Sequence, residues 1–320
     1  MRDSKLGPSV FTIKDTDTIS DAFESLRKFK VQALLVLNSQ DSTLLGLVSI
    51  MDILSETILG KSFEDFEVWD QLDSLEIEEW NQKHIEMYKG LLIKDVLEKK
   101  KLQEFKIFHS DEGIQSMVDY MLKHHEHRVV VVDKNRMNDL NYTTLISQTD
   151  ILYYFFLNQK SIPQSALNLK AEDIMQIAMP AILRSIPMET DRVSQKSPII
   201  APCDCPVLLA LRVMKLYGVS CIGVVDPEGS LVGNLSPNDF RGYDFSDLSS
   251  LVHPILTFIK LQHQVDPLAW CISCVKDDQL MVLIHRILKA KVHRIWVCDE
   301  SFHPVGVVTM TDILTALMQV

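Results

Sequence analysis

The sequence predicts an α/β fold of four repeats, each in the order strand, helix, strand, strand, helix, paired as two modules in a pseudo-symmetric disk. Two observations lead to this expectation. A short apolar strand occurs four times along the 320 residues, and an amphipathic helical stretch precedes each copy. A unit of about sixty residues buries little apolar surface alone, so neighbouring units should pair.

The four central strands each end in Asp or Asn. They are KVQALLVLN (30–38), EHRVVVVD (126–133), GVSCIGVVD (218–226) and KVHRIWVCD (291–299). The stretch before each strand spaces apolar residues three and four positions apart, which is typical of a helix with one buried face. These stretches are ISDAFESLRKF, IQSMVDYMLKHH, PVLLALRVMKLY and QLMVLIHRILKA.

A turn, a second short strand and a helix follow each central strand. The segments are LLGLVSIMDIL (44–54), YTTLISQTDIL (142–152), LVGNLSPNDF (231–240) and PVGVVTMTDIL (304–314). Gly46, Gly233 and Gly306 share one position, which indicates a strand that starts close to a neighbour. Thr144 stands there in the second repeat.

The spacing of the repeats predicts a first module at residues 1–160 and a second at 165–320, divided near the polar stretch 158–168. The predicted repeats cover 8–58, 92–157, 170–245 and 250–319. An acidic insert at 61–90 separates the first two repeats. We expect it to be a solvated helical connection with four side chains towards the core: Phe63, Phe66, Trp69 and Leu72.

Composition restricts the possible partners. The net charge of −11 disfavours nucleic acid or an anionic membrane as the main partner, because both are negatively charged and bind preferentially to basic protein surfaces. The start of the chain lacks an apolar signal region, and the run ILYYFFL (151–157) is too short to span a bilayer. We therefore expect a cytoplasmic protein, with the nucleus as a second compartment.

The sequence shows no metal or catalytic centre. Cys271 and Cys274 have the spacing of half a zinc site, but AWCISCV also reads as a strand that would send the two thiols to opposite faces. Buried free thiols are therefore the favoured interpretation, with no metal. No phosphate-binding loop, dinucleotide fingerprint or activated nucleophile is present, so we expect no enzyme.

Four aspartates each follow a Ser or Thr by three residues. One interpretation is a helix cap, in which the hydroxyl accepts a backbone N–H bond and the acid complements the helix dipole. The other is ribose binding, because a carboxylate can accept hydrogen bonds from both hydroxyls of a vicinal diol. The residues alone leave both open for Asp52, Asp150, Asp239 and Asp312.

Two His-Arg pairs, His127-Arg128 and His293-Arg294, stand at equivalent positions in the second and fourth repeats. A guanidinium fork matches a phosphate, and a neighbouring imidazole adds a donor. The alternative is that these cations lie on the surface and complement the C-terminus of the preceding helix. Recurrence in alternate repeats favours convergence of the pairs at the centre of the assembly.

The repeats resemble a known domain. PVGVVTMTDIL and LLGLVSIMDIL match the last segment of the cystathionine-β-synthase (CBS) domain, Gly-x-[Ile/Val]-[Ser/Thr]-x-x-Asp-[Ile/Leu], and such domains pair as Bateman modules. Four copies in one chain, with EHRVVVVD, VHRIWVCD and the insert LEIEEWNQKHIEMY, are similar to the γ-subunit family of AMP-activated (SNF1-type) protein kinase. The resemblance implies an energy-sensing regulatory subunit with kinase catalytic and scaffold subunits as partners.

The resemblance also implies the ligand contacts. Adenine nucleotides would be regulatory ligands, not cofactors, with ribose on at least two of the four aspartates. The implied phosphate-binding residues are His127, Arg128, Ser220, His293, Arg294, Thr309 and Thr311. The chain departs from the family at Gln32, where the family has Arg, and at Thr149-Asp150, where it has Lys-Arg. The alternative function is a ligand-independent scaffold that controls another enzyme, such as a phosphatase.

Overall fold

Four three-stranded sheets frame the part of the chain that the computed structural model describes, residues 10–57, 59, 74–100, 105–135, 143–183, 198–263 and 271–319. In each sheet the central strand pairs in parallel with the strand before it and antiparallel with the strand after it. The predicted fold class is confirmed. None of the helices described is long and apolar enough to cross a bilayer.

The first half of the chain holds two repeats joined by two helices. The first repeat contains β1 (Thr12–Lys14), α1 (Ile19–Phe29), β2 (Ala33–Leu37), β3 (Leu44–Ser49) and α2 (Ile50–Glu56). The connection contains α3 (Ser74–Lys89) and α4 (Ile93–Lys99). The second repeat contains β4 (Ile107–His109), α5 (Ile114–His124), β5 (Arg128–Val132), β6 (Thr143–Ser147) and α6 (Gln148–Leu157).

The second half repeats this arrangement. After α7 (Gln164–Leu167) and α8 (Ala171–Leu183), the third repeat contains β7 (Ile200–Pro202), α9 (Val207–Leu216), β8 (Ile222–Val225) and β9 (Leu231–Leu235). The fourth follows α10 (Ile255–His263) with β10 (Ser273–Cys274), α11 (Leu280–Ala290), β11 (Arg294–Cys298), β12 (Pro304–Thr309) and α12 (Met310–Gln319).

The third repeat ends differently from the others. Its last strand leads into one 3-10 turn, Pro237–Phe240, where the other repeats start an α-helix. In those repeats the first helical N–H donates to the residue before the central strand, as Met310 N–H does to the His293 carbonyl at 3.1 Å. Pro237 has no N–H, so this bond is missing in the third repeat.

The two sheets of each module pack face to face. In the first module, Ala33, Leu35 and Leu47 lie against Val130 and Val132. In the second, one cluster joins the two sheets through Cys221, Leu231, Cys271, Trp296 and Cys298. Repeats one and two therefore pair, as do three and four, as the sequence predicts. The module boundaries remain predictions.

Larger apolar cores join the modules through their helices. One core combines buried residues of repeats one and three, and the other combines those of repeats two and four. Phe23 of α1 stacks on Phe245 of the third repeat with ring centroids 3.8 Å apart. Asn81 of α3 accepts a 2.8 Å bond from the Leu248 N–H. These contacts close the four repeats around a common centre.

Close packing explains one predicted glycine. A Cβ on Gly306 would meet the sulfur of Met175 in α8, so a larger residue at this position would require the flexible methionine side chain to move. The prediction that Phe63, Phe66, Trp69 and Leu72 face the core falls outside the described residues.

The two cysteines with zinc-like spacing separate as the strand pattern predicts. Cys271 packs between the sheets of the second module, whereas Cys274 belongs to the helical core of repeats two and four. Burial raises the pKa of Cys274 to about 12 and that of Cys298 to about 11. Such thiols stay protonated and pack as small apolar groups.

Candidate functional site

The strand register places each His-Arg pair beside the start of a helix. Arg128 pairs across the sheet with Ser147, and Arg294 pairs with Thr309. Each hydroxyl residue is the one that immediately precedes the helix carrying the predicted ribose aspartate. Residues about twenty positions apart in sequence therefore become neighbours in space.

Both His-Arg pairs contribute to one group of positive charges, called the central cation cluster: His127, Arg128, His293, Arg294 and Arg241. Burial, and then the charges of Arg294, Arg128 and His127, lower the pKa of His293 to about 4. Desolvation also lowers the pKa of Arg128, with Arg241 as the strongest charged contributor. Two modules thus bring their cations within electrostatic reach of each other.

His127 stands at the edge of this cluster. Its side chain is open to solvent. The protein around the ring still removes enough water to lower its pKa, while a hydrogen bond with Gln148 opposes the shift. His127 is therefore reachable from outside while Arg294 is not.

Arg294 is the most enclosed cation of the group, with 8% of its surface exposed. Its Nη2 donates to Ser220 Oγ at 3.1 Å, and its Nε is buried without a hydrogen-bond partner. No salt bridge joins Arg294, Arg128 or either histidine of the pairs to a carboxylate within the described residues. A buried donor on a charged group without a partner is costly, and an anion would satisfy it.

The His-Arg pairs do not cap the C-termini of the helices that precede them. His125 and Lys291, both with positive φ, close α5 and α11 through their own backbone N–H groups. Arg128 and Arg294 instead begin the central strands. This placement disfavours the interpretation of the pairs as surface cations that complement a helix C-terminus.

Polar contacts connect the cluster across the modules. Gln148, buried at the start of α6, donates through Nε2 to Thr311 Oγ1 at 3.0 Å. Gln32 bonds through its side-chain amide to the Asn238 side chain, linking repeats one and three. Thr311 of the fourth repeat therefore lies beside Gln148 of the second, while Thr309 caps α12.

All four predicted aspartates form caps. In each case Oδ2 accepts bonds from the backbone N–H and hydroxyl of the Ser or Thr three residues earlier. The capping interpretation is therefore confirmed in geometry. The second oxygen, Oδ1, is not part of the cap, so ribose binding through Oδ1 is compatible with it.

The environments of the four carboxylates differ. Asp312 and Asp239 are buried, Asp52 is half-buried and Asp150 is exposed. Burial raises the pKa of Asp312, although the bonds from Thr309 oppose the shift. Two of the carboxylates have basic neighbours that the sequence did not indicate: Lys100 beside Asp52, and His263 beside Asp239.

Sequence reasoning missed four residues of the site: Lys100, Gln148, Arg241 and His263. Lys100 lies in the run EKKK, which is typical of a solvated helix end, and His263 follows an apolar helix. Arg241 comes two residues after Asp239, and this closeness to a candidate ribose residue could have indicated that it belongs to the site. For Gln148 the only signal in the sequence was its position directly after Ser147, the residue that precedes the helix.

The cavities among the described residues are limited. A narrow cleft of about 10 Å³ lies between the first two repeats, beside Leu47, Lys100, Glu126, Arg128 and Val129. A depression of about 640 Å³ lies along α3, lined by Glu78, Glu79, Gln82, Lys83 and Glu86. The depression contains no candidate nucleotide residue, and its acidic lining disfavours phosphate.

Family comparison matches the repeats at both ends of the chain. Residues 6–58 and 271–319 match the model of the CBS domain. The chain carries CBS domains. The first and fourth CBS repeats account for these matches, and the other two share their sheet topology. The predicted resemblance is confirmed.

Among curated proteins, the chain is similar to subunits of AMP-activated protein kinase. It is 25% identical over 208 residues to the gamma subunit of Saccharomyces cerevisiae, covering 62% of this chain and 56% of that protein. It is 27% identical over 135 residues to the Kluyveromyces lactis gamma subunit, covering 41% and 40%. The chain thus spans about half the length of these relatives.

A solved structure shows the same fold over the whole chain. Protein MJ1225 from Methanocaldococcus jannaschii, proposed to be an archaeal homologue of the kinase gamma subunit, superimposes with a TM-score of 0.65. The match covers 97% of this chain and 96% of that one at 15% sequence identity. At this identity the likeness concerns the fold alone.

Proposed function

We propose that the protein is a non-catalytic regulatory subunit that binds adenine nucleotides at the centre of its four CBS repeats. The phosphates contact His127, Arg128, His293 and Arg294, and Ser220 and Thr311 add hydroxyl donors. The ribose hydroxyls donate to Oδ1 of an aspartate such as Asp312. AMP, ADP and ATP are regulatory ligands of this site.

The unpartnered Nε of Arg294 is the observation that carries this proposal. A guanidinium that is 8% exposed has one hydrogen bond, to a neutral hydroxyl, and its charge acts on His293 together with the charges of Arg128 and Arg241. Clustered cations repel one another, and Asp150 and Glu126 only partly oppose this repulsion at Arg128, so an anion would stabilise the cluster further. A phosphate supplies both the charge and several acceptor oxygens.

The signalling partner in this proposal is a protein kinase complex of the AMP-activated type. The support is the similarity to gamma subunits of that kinase. Kinase catalytic and scaffold subunits would bind this protein and respond to which nucleotide occupies the central site. The acidic chain, with a net charge of −11, suits a protein partner better than nucleic acid.

Thermal unfolding of the purified protein with AMP, ADP and ATP tests nucleotide binding. A ligand at one hundred times its dissociation constant stabilises the folded state by roughly 2.7 kcal/mol. Adenosine, which lacks phosphate, is the matched control and should stabilise far less. Unchanged melting with all three nucleotides contradicts the proposal and favours the ligand-independent scaffold.

Purification of the protein from native cells tests the partner. Co-elution of a kinase catalytic subunit supports the regulatory role, whereas a phosphatase or another enzyme in its place supports the scaffold alternative. The Arg294→Gln variant is a useful comparison, because a nucleotide-dependent complex should weaken while a scaffold contact on the outer surface should not.

A further inference from the structure

Two helices in equivalent positions each bring a basic side chain to an aspartate. Helix α4 opens the second repeat and ends in its cap residue Lys100, and α10 opens the fourth repeat and ends in His263. Lys100 contacts Asp52 of the first repeat, and His263 contacts Asp239 of the third. The same relation therefore occurs once in each module.

Lys100 forms an ion pair with the predicted ribose carboxylate of the first repeat, Asp52. Its Nζ lies 3.1 Å from Asp52 Oδ2, 3.4 Å from the Leu47 carbonyl and 3.8 Å from Glu126 Oε1. The adjoining cleft has a free volume of about 10 Å³, enough for at most one water molecule. Oδ1 of Asp52 lies outside this contact, so a ribose hydroxyl that approached it would meet a carboxylate whose charge is already paired with an ammonium group.

His263 makes the equivalent contact with the aspartate of the third repeat, Asp239. Its Nε2 lies 2.8 Å from Asp239 Oδ1, the oxygen that the Ser236 cap leaves available. Asp239 is buried, so its remaining oxygen has little access other than the one the imidazole occupies. A sugar hydroxyl would have to replace this contact.

The aspartates of the other two repeats have no such partner. The hydrogen bonds of Asp150 and Asp312 go to their own caps, Ser147 and Thr309, through Oδ2. Neither carboxylate forms a salt bridge within the described ranges. Both belong to the repeats that supply the His-Arg pairs, so these cations and the two carboxylates without a salt bridge occur in the same repeats.

We infer that Lys100 and His263 are specificity-determining residues that keep nucleotide out of the first and third repeats. Ribose then binds only at Asp150 and Asp312, and the chain holds at most two nucleotides. This inference rests on the proposed function. A hydroxyl competes poorly for a carboxylate that already has a charged or imidazole partner, because charge-assisted bonds are about twice as strong as neutral ones.

Counting bound nucleotides by equilibrium dialysis with saturating AMP tests the inference. We expect two per wild-type chain, three for Lys100→Ala, three for His263→Ala and four for the double variant. Matched controls are Lys99→Ala, since Lys99 pairs with Glu56 at 3.8 Å, and Lys260→Ala on α10. Both controls should keep the wild-type count. Folded Lys100→Ala and His263→Ala variants with that same count overturn the inference.

A second set of variants leaves Lys100 and His263 in place and so avoids any loss of folding that their removal causes. Asp52→Asn should leave the count and the affinity unchanged, whereas Asp312→Asn should remove one nucleotide. Loss of a nucleotide from Asp52→Asn overturns the inference but leaves the proposed function standing. No binding by any variant or by the wild type overturns both.

Discussion

Arg128 Nη2 donates to Oε1 of Gln32 at 2.9 Å, and this bond joins the second repeat to the first. The corresponding bond in the other module runs from Arg294 Nη2 to Ser220 Oγ at 3.1 Å. In both modules an arginine of the later repeat meets a neutral acceptor of the earlier one. Neither arginine forms a salt bridge within the described residues, which is compatible with a site that binds an anion.

Gln32→Arg places a second guanidinium against Arg128. Without ligand, the like charges should lower the melting temperature, because repulsion between partly buried cations is weakly screened. With AMP or ATP, the ligand-induced rise in melting temperature should exceed that of the wild type. Gln32→Met removes the amide without adding charge and is the control. A variant whose response to nucleotide equals the wild type would contradict this expectation.

Arg294→Gln should abolish most nucleotide binding. Loss of a hydrogen bond to a charged group costs roughly 1.5–3 kcal/mol, about 10- to 150-fold in dissociation constant. Calorimetric titration at two salt concentrations should also show that binding depends less on salt, because the variant lacks one of the protein cations that attract the phosphate.

Arg286→Gln is the matched control for Arg294→Gln. Arg286 forms a salt bridge with Asp278 at 2.9 Å and donates to the Ser273 carbonyl. It lies outside the central cation cluster, so its loss should change stability but neither nucleotide affinity nor salt dependence. Equal effects of the two variants on binding would remove Arg294 from the phosphate site.

Asp312→Ala separates ribose binding from capping. The cap bonds to Thr309 predict a loss of up to about 1 kcal/mol in the free energy of unfolding, measured with denaturant. Ribose contact through Oδ1 predicts an additional loss of roughly 1.5–3 kcal/mol in nucleotide binding. Wild-type affinity in a destabilised variant would leave Asp312 with the capping role alone.

The pKa of His293 predicts how stability depends on pH. It falls from an unfolded value of 6.5 to about 4 in the folded protein, so the unfolded chain binds the proton more readily. The contribution of the neutral ring is complete above pH 6.5 and is lost as the pH falls towards 4, on the order of 1–3 kcal/mol. His293→Gln should flatten this part of the profile of unfolding free energy against pH.

Bound nucleotide should reduce the loss of stability that protonation of His293 causes at low pH. A bound phosphate favours protonated His293, so binding takes up a proton and should strengthen between pH 7.5 and 5.5. Titration calorimetry in buffers of different ionisation enthalpy measures the uptake directly. A binding enthalpy that does not depend on the buffer at pH 5.5 would contradict the placement of phosphate at His293.

Gly223→Ala should destabilise the second module. An added Cβ would lie 2.8 Å from Cη2 and 3.0 Å from Cζ3 of the buried Trp296 ring, which is rigid. Overpacking of this kind costs roughly 1–3 kcal/mol. Gly90→Ala, with nothing within 4 Å, is the control and should change the free energy of unfolding by less than about 0.5 kcal/mol.

A double variant checks the cause of that loss. Trp296→Leu shortens the side chain that meets Gly223, so Gly223→Ala should cost less in that background than in the wild type. Strict additivity of the two losses would show that the glycine is needed for another reason.

Local patterns along the chain were sufficient for the repeat architecture. The periodicity of IQSMVDYMLKHH and QLMVLIHRILKA predicted helices that the structure shows at Ile114–His124 and Leu280–Ala290. The Ser or Thr three residues before each Asp predicted the caps. These features depend on neighbours within a few positions, so the sequence determines them directly.

Tertiary packing alone decided which carboxylates are available. Asp52 and Asp312 occupy the same motif position, yet Lys100, 48 residues further on, contacts Asp52, while Asp312 keeps only its cap. The convergence of Arg128, Arg294 and Arg241 likewise depends on packing between modules. Contacts across such distances in sequence follow from how the helices and sheets close on one another, and no local period encodes that closure.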